Sequence, residues 1–436
     1  MKVAIYTLGC KVNQYDSQEI GSLLKKNGFE IVSHRSEADV YIINSCTVTA
    51  ESTRKSKQAV RRFKNLHPTA ITVLTGCFPQ AFTDELSDLA EADIIIGNRS
   101  NSQISALIRK YTDKNERYVC ITPHNIKDKY VSSEIDTFEE HTRAFVKIQD
   151  GCNRYCSYCT IPKARGFSRS RPIESIKNEL LKLACLGYSE IVFVGINLSA
   201  YGVDNGLSLF EPLNAAQQID GIKRIRLGSL EPDHITDDLI DKMKTITKLC
   251  PHFHLSLQSG SDSVLKQMNR HYTTDEYFCL CQKLHKAFPD TSITTDIIVG
   301  FPGETEDDFN KTLDFAKKCK FMKVHVFPFS PRKGTPAYSY KNKVPSETKS
   351  SRCAVLQKSC DETRNEILSE YKGKITEVLF ETPKNGFYHG YTANYTPIIV
   401  KSDENLTGKF FNVLITDIDS ENCIGELAQN KEKTSK

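Results

Sequence analysis

Short β-branched runs alternating with polar, helix-compatible stretches constrain this chain most. In residues 1–120 the runs are "KVAIYTLG" (2–9), "DVYIINS" (39–45), "AITVLTG" (70–76) and "ADIIIGN" (92–98). Each is followed by a stretch such as "DSQEIGSLLKKNG". Near-continuous apolar strands are the pattern of parallel strands buried on both faces. A doubly wound parallel α/β domain over 1–120 is therefore expected.

Residues 121–142 are polar, lack periodicity and read as a linker. From 143 the alternation resumes on a longer beat. "RAFVKIQ", "EIVFVGIN", "KRIRLGS", "FHLSLQS", "ITTDIIVGFP" and "KVHVFPFS" are six strand candidates with helical patterns between them. Six β/α units are too few for an eight-fold barrel, so an open, partial (β/α)6 barrel is expected over 143–372. The charged stretch 345–372 reads as a helix that closes it. After Gly373 the period changes to two, in "KITEVLFE", "FYHGYTANYTPIIVK", "LTGKFFNVLITDI" and "NCIGELA". That predicts a small five-stranded β-barrel over 373–428, with 429–436 as a solvated tail.

No apolar run approaches the ~18–20 residues of a membrane span. Met1-Lys2 leads straight into a strand-like run, which does not read as a secretory leader. A cytoplasmic protein is expected. Fifteen cysteines, an odd number in a 436-residue chain, do not suit a secreted disulfide framework. Metal or redox chemistry accounts better for some of them. A net charge of +4 does not announce a nucleic-acid partner, so any such partner must come from local patches.

"GCNRYCSYC" (151–159) places Cys152, Cys156 and Cys159 on one loop, spaced C-x3-C-x2-C. The loop follows the first strand of the partial barrel, at the face where such folds keep their sites. Three thiolates can hold three corners of a [4Fe–4S] cube and leave its fourth iron open. A structural zinc with a distant fourth ligand is the plainer alternative, but the spacing departs from the usual zinc patterns.

Cys10, Cys46 and Cys77 are far apart in sequence, yet each follows a strand, in "YTLGC", "IINSC" and "VLTGC". Neighbouring parallel strands end side by side at the edge where ligands bind. Three cysteines there can converge on a second cluster, although each alone would read as a small buried residue. The other nine cysteines show no comparable arrangement.

Cys152, Cys156, Tyr158 and Cys159 resemble the C-x3-C-aromatic-x-C signature of radical S-adenosylmethionine enzymes. "TLGCKVNQYDSQ", "INSCTVTAEST" and "IQDGCNRYCSYCTIPKARGFSRSR" extend the resemblance, over about 1–428, to the methylthiotransferases. The nearest branch is the one that acts on tRNA N6-threonylcarbamoyladenosine. Lys11-Val12-Asn13 stands where the isopentenyladenosine branch usually has Gln-Met-Asn and the ribosomal-protein branch Pro-Lys-Asn.

The resemblance implies an N-terminal cluster domain, a radical S-adenosylmethionine barrel and a TRAM barrel. It also implies two [4Fe–4S] clusters and two molecules of S-adenosylmethionine. Cys152, Cys156 and Cys159 would serve radical generation, while Cys10, Cys46 and Cys77 present the sulfur. A methylthio group would then join C2 of the adenine. An aromatic C–H offers no acidic proton, so a radical cofactor must carry that step. Tyr158 would contact the adenine of S-adenosylmethionine and Glu231 its methionine amine; Gln258 and Asp296 would reach its ribose or methionine. Each of these side chains could equally make ordinary strand-end hydrogen bonds. Implied partners are the anticodon stem-loop of tRNA, an electron donor and a sulfur source. The alternatives are another acceptor (isopentenyladenosine tRNA or a ribosomal protein side chain) or a non-catalytic iron–sulfur RNA-binding protein.

Two basic patches flank the proposed clusters. In "ESTRKSKQAVRRFK" (51–64), Arg54, Lys57, Arg61 and Lys64 fall on one helical face. "PKARGFSRSR" (162–171) adds Lys163, Arg165, Arg169 and Arg171. Either can bind a phosphate backbone or simply be a solvated face. Residues 373–427 carry eight acids and four lysines, so the last barrel either stacks bases on Phe387, Tyr388, Tyr391 and Tyr395 or serves as a packing module.

Overall fold

The computed structural model describes residues 1–131, 135 and 142–428. The expected tail at 429–436, and 132–134 and 136–141 of the expected linker, lie outside the described residues.

The N-terminal sheet has six parallel strands: β1 Lys2–Thr7, β2 Glu30–Val32, β3 Val40–Ser45, β4 Ile71–Gly76, β5 Ile94–Ile96 and β6 Tyr118–Cys120. Their order is β2-β1-β3-β4-β5-β6. Helices α1 Lys11–Lys26, α2 Ala50–Leu66, the short α3 Cys77–Ala81 and α4 Ile104–Lys114 connect the strands. β3 and β4 are buried at every position, as their apolar runs predict. Two apolar cores, one on each face, confirm double winding. The three-residue strands β2 and β6 were not expected from the pattern.

The six expected strands of the second unit all form. β7 Ala144–Lys147 leads to a two-residue ribbon of β8 Gln149–Asp150 and β9 Arg169–Ser170. The principal strands continue as β10 Glu190–Val194, β11 Arg224–Leu227 with its continuation β12 Ser229–Leu230, β13 His252–Leu255, β14 Ser292–Val299 and β15 Lys323–Pro328. All pair in parallel, as β7-β10-β11 and β12-β13-β14-β15, and an Ile225–Leu249 bridge carries β11 on to the segment before β13. No pairing joins β15 back to β7 among the described residues, so the barrel is open.

Helices α5 Ile161–Arg165, α6 Ile173–Cys185, α7 Phe210–Gln217, α8 Asp237–Met243, α9 Asp262–Gln267, α10 Thr274–Ala287 and α11 Glu306–Cys319 fill the connections. Capping boxes start α10 (Thr273 with Glu276) and α11 (Thr305 with Asp308). The expected closing helix is α12 Ser346–Ser369, packed along β15.

Five strands then form the closed C-terminal barrel: β16 Ile375–Lys384, β17 Phe387–Tyr391, β18 Pro397–Val400, β19 Phe410–Ile418 and β20 Cys423–Leu427. Leu368 of α12 and Met322 join its core, which seats it on the partial barrel.

Candidate active site between two cysteine sets

Gly151 opens the three-cysteine loop at φ +75°, and a Cβ there would lie 1.9 Å from the Phe167 carbonyl oxygen. Only glycine fits that approach. The loop is then tied down at several points. Cys152 N–H donates to Gly166 O (3.0 Å), and Ser157 donates to Met268 O (3.0 Å) and Gln267 O (2.8 Å).

Each sulfur of the loop faces a donor: Arg154 N–H to Cys152 (3.4 Å), Ile161 N–H to Cys159 (3.4 Å) and Arg270 Nη1 to Cys156 (3.3 Å). Donors directed at sulfur are how proteins hold and tune thiolate-bound clusters. Burial pushes the Cys152 thiol up to about 11 and raises Cys159 further. To hold iron as thiolates, both would have to give up their protons. Among the described residues no three His, Cys, Asp or Glu side chains close around a single ion. Three thiols on one loop, each facing a donor, suit a thiolate-bound iron–sulfur cluster.

The side chains expected to meet S-adenosylmethionine fall in two groups. Tyr158 is packed edge-on to Phe301, centroids 6.4 Å apart, and lies within electrostatic reach of Cys156 and Glu231. Glu231 pairs with Arg270, whose Nη1 is 3.3 Å from it, so the carboxylate stands beside the cysteine loop. Gln258 and Asp296 lie further along the barrel. Gln258 adopts φ +72° and its N–H donates to Asp296 O (2.9 Å). The Asp296 carboxylate faces His254 at 3.3 Å. Arg270, 3% exposed at its side chain, was not anticipated. It sits in the loop between α9 and α10 without any motif around it.

Cys10 caps α1, Cys46 directly follows β3, and Cys77 opens α3 at the end of β4. β1, β3 and β4 are adjacent, so the three cysteines meet at one sheet edge. A Cβ at Gly9 would lie 3.1 Å from the Cys46 sulfur, and Cys10 and Cys77 are each in electrostatic contact with Cys46. Cys46 and Cys77 are buried, whereas Cys10 keeps accessible surface. Surrounding protein nevertheless raises the Cys10 thiol by desolvation. Burial likewise pushes Cys77 up to about 12. This set also fits a cluster bound as thiolates.

The basic residues divide sharply. Arg165 and Arg171, expected to meet RNA, are 2% and 3% exposed and cannot reach a phosphate. Arg165 spans the junction of the two α/β units. Its Nε donates to the Cys77 sulfur (3.3 Å), Nη2 pairs with Asp16 (2.7 Å) and Nη1 with Asp150 (3.3 Å). Arg171 pairs with Glu179 and donates to Tyr15 (2.9 Å). A buried guanidinium needs such partners, and this requirement consumes both residues. Arg169 donates to the carbonyls of Arg165 (3.0 Å) and Phe167 (2.8 Å). Arg54 and Arg61 remain about half exposed, in ion pairs with Glu51 and Glu91, and Lys163 is exposed. Lys57 and Lys64 are paired with Glu85 and Asp93, at 2.8 Å each.

A cleft of about 440 Å³, lined by Asp16, Asn98, Lys127, Tyr130, Lys147 and Arg165 among others, also lies along this junction. None of the six cysteines lines it, nor do Tyr158, Glu231, Gln258 or Asp296.

Residues 146–316 match the Radical SAM superfamily, and residues 2–97 match Uncharacterized protein family UPF0004. A threonylcarbamoyladenosine tRNA methylthiotransferase of Bacillus subtilis is 38% identical, over 95% of this chain and 93% of the relative. One from Thermotoga maritima is also 38% identical, over 98% of each. A tRNA-2-methylthio-N(6)-dimethylallyladenosine synthase of Caldicellulosiruptor saccharolyticus is 36% identical, over 97% of this chain and 92% of the relative. Among solved structures, the radical S-adenosylmethionine methyltransferase TsrM from Kitasatospora setae superposes with a TM-score of 0.57 at 13% identity, covering 89% of this chain and 80% of that one. That last likeness speaks for the fold.

Proposed function

The chain belongs to the tRNA methylthiotransferases of the radical S-adenosylmethionine superfamily, and on that premise we propose its acceptor, its division of labour and its RNA surface. The acceptor is N6-threonylcarbamoyladenosine on the 3′ side of the tRNA anticodon, and the reaction replaces the hydrogen on C2 with a methylthio group. Buried Arg165, in the segment that follows Cys159, donates to the Cys77 sulfur and pairs with Asp150 just before the three-cysteine loop, and this link between the two cysteine-bearing units carries the reading.

When bound, two [4Fe–4S] clusters and S-adenosylmethionine supply a 5′-deoxyadenosyl radical at one site and a methylated sulfur at the other. The chain's own residues hold and orient these groups. Cys152, Cys156 and Cys159 hold the radical-site cluster, and Cys10, Cys46 and Cys77 hold the other. Arg270 pairs with Glu231 and holds it beside the radical-site loop for the methionine amine, while Tyr158 walls the adenine side. Gln258 and Asp296 bound the far side of that pocket.

Residues 1–120 form the cluster unit, 143–372 the radical unit and 373–428 a TRAM-like barrel. Arg54 and Arg61, exposed although paired with Glu51 and Glu91, and exposed Lys163 present the surface cations to the anticodon stem-loop. The enzyme draws on an external reductant and a sulfur source, and works in the cytoplasm where its tRNA is. No helix among the described residues is long and apolar enough to cross a membrane.

The test is anaerobic. Reconstituted, reduced protein is given S-adenosylmethionine with tRNA carrying either threonylcarbamoyladenosine or dimethylallyladenosine, and the nucleosides are analysed by mass spectrometry. A 2-methylthio product from the first tRNA is expected. It disappears in Cys10→Ala, Cys46→Ala or Cys77→Ala while 5′-deoxyadenosine still forms. Product from the dimethylallyl tRNA alone would transfer the enzyme to the other acceptor.

A further inference from the structure

The barrel's bore is lined by residues that alternate with its hydrophobic core. Ile191, Ile225, Phe253, Ile293 and Val324 pack against the helices, which turns Glu190, Arg226, His252, Thr294 and His325 inward. Both ends of the bore are occupied. At the strands' N-terminal end the β17–β18 turn of the C-terminal barrel enters. Arg226 donates to Ala393 O (2.9 Å) and Thr392 O (3.2 Å), and Tyr395 stacks 4.8 Å from His252. At the other end the first turn of α1 enters, with Val12 packed on Val192 and Val194.

Lys11, the first residue of α1, lies between these plugs. Tyr395, Arg143, Arg226, His252 and His325 are all within its electrostatic reach, yet it retains exposed surface. Its side chain therefore keeps solvent access beside the groups that line the bore. No hydrogen bond or ion pair holds its ammonium among the described residues.

The nearby carboxylates are already engaged. Glu190 serves Arg226 (2.9 Å) and Arg224 (3.8 Å), Glu381 serves Arg143 (2.5 Å), and Asp296 faces His254 (3.3 Å). A cation here is repelled by two arginines and opposes the dipole of the helix it begins. Stability does not explain it, whereas an anionic ligand would.

We propose that Lys11 receives the carboxylate of the amino-acid arm that the substrate carries on N6 of its adenosine. The inference rests on the acceptor proposed above. C2 and N6 flank N1 on one edge of the adenine ring. A side chain adjacent in sequence to Cys10, which presents sulfur towards C2, is placed to meet whatever hangs from N6. A dimethylallyl arm has no charge to offer and would leave the ammonium unpaired.

The experiment compares full-length reconstituted protein and its Lys11→Met and Lys11→Arg variants on two tRNAs. One carries threonylcarbamoyladenosine and the other the same arm with its carboxylate converted to the primary amide. Wild type is expected to prefer the acid by about tenfold to a hundredfold in kcat/KM, expressed in KM. Lys11→Met loses the preference by falling to the wild-type level on the amide, and Lys11→Arg keeps part of it. Iron content serves as the folding control. A Lys11→Met enzyme that still prefers the acid as wild type does overturns the inference, as does an equal loss on both tRNAs. A wild-type enzyme that thiolates only dimethylallyl tRNA removes the acceptor reading first, and this inference with it.

Discussion

Arg165 donates from Nε to the sulfur of Cys77 at 3.3 Å, although one lies in α5 of the partial barrel and the other in α3 of the N-terminal unit. The same guanidinium pairs with Asp16 of α1 and Asp150 of its own unit. It is at once part of the surroundings of the N-terminal cysteine set and the fastening between the units. Arg165→Met leaves Asp16 and Asp150 without that partner, and a broken buried pair costs about 3–5 kcal/mol. The variant is expected to lose iron from the N-terminal set and to unfold earlier in denaturant. Arg165→Lys should recover part of both, because a single ammonium cannot fork to three partners. Wild-type iron content and stability in Arg165→Met would refute this role.

Arg270 stands in the same relation to the other set, 3.3 Å from the Cys156 sulfur and paired with Glu231. A cation and an N–H donor at a cluster's ligand favour its reduced, more negative state. In Arg270→Met the radical-site cluster is expected to titrate at a more negative potential, read by redox titration with electron paramagnetic resonance. The N-terminal cluster should be unmoved. A shift in both clusters, or in neither, would count against a local effect.

Charge reversal separates the exposed cations from the buried ones. Arg54→Glu, Arg61→Glu and Lys163→Glu should each weaken anticodon stem-loop binding and flatten its salt dependence by about one in slope. Surface substitutions of this kind leave stability within about 0.5 kcal/mol. Unchanged affinity in all three at low salt would move the RNA to another face.

His252 gives the protein a pH limit. Burial, then Arg226, hold its imidazole well below the usual histidine value, and its Nδ1 has no hydrogen-bond partner. The folded protein keeps it neutral, while the unfolded chain takes up a proton below about pH 6.5. Stability is therefore present above that pH and lost as pH falls through it, by at most about 1.4 kcal/mol per unit from this residue. Thermal melts between pH 7.5 and 5.5 should show this slope (values chosen to bracket about 6.5), reduced in His252→Gln. An identical slope in the variant would assign the effect elsewhere.

All six cysteines were legible in the sequence, because each set is announced by chain geometry: one by tight spacing, the other by equivalent places after successive strands. The partial barrel was legible from six alternating units and the C-terminal barrel from the change of period at Gly373. Strands β2 and β6 were not, since, unlike the buried Ile94–Ile96 of β5, their three residues at the sheet's edges are half-exposed and carry no buried apolar run. Arg165 and Arg171 looked like RNA contacts because "PKARGFSRSR" reads as one charge run. What removes them from the surface is Asp16, Tyr15 and Glu179, which lie in other elements. Arg270 was invisible for the converse reason. Its partners, Cys156 and Glu231, come from two separate loops, and nothing beside it marks the meeting.

Lys11 and Tyr395 approach each other inside a barrel built by the residues between them. A ribosome therefore delivers one side of the bore first and the opposite side almost last. Until the turn after β17 has emerged, the bore lacks the plug that Arg226 and His252 hold at the strands' N-terminal end. Both cysteine sets are thus synthesised before the barrel above them is closed at that end.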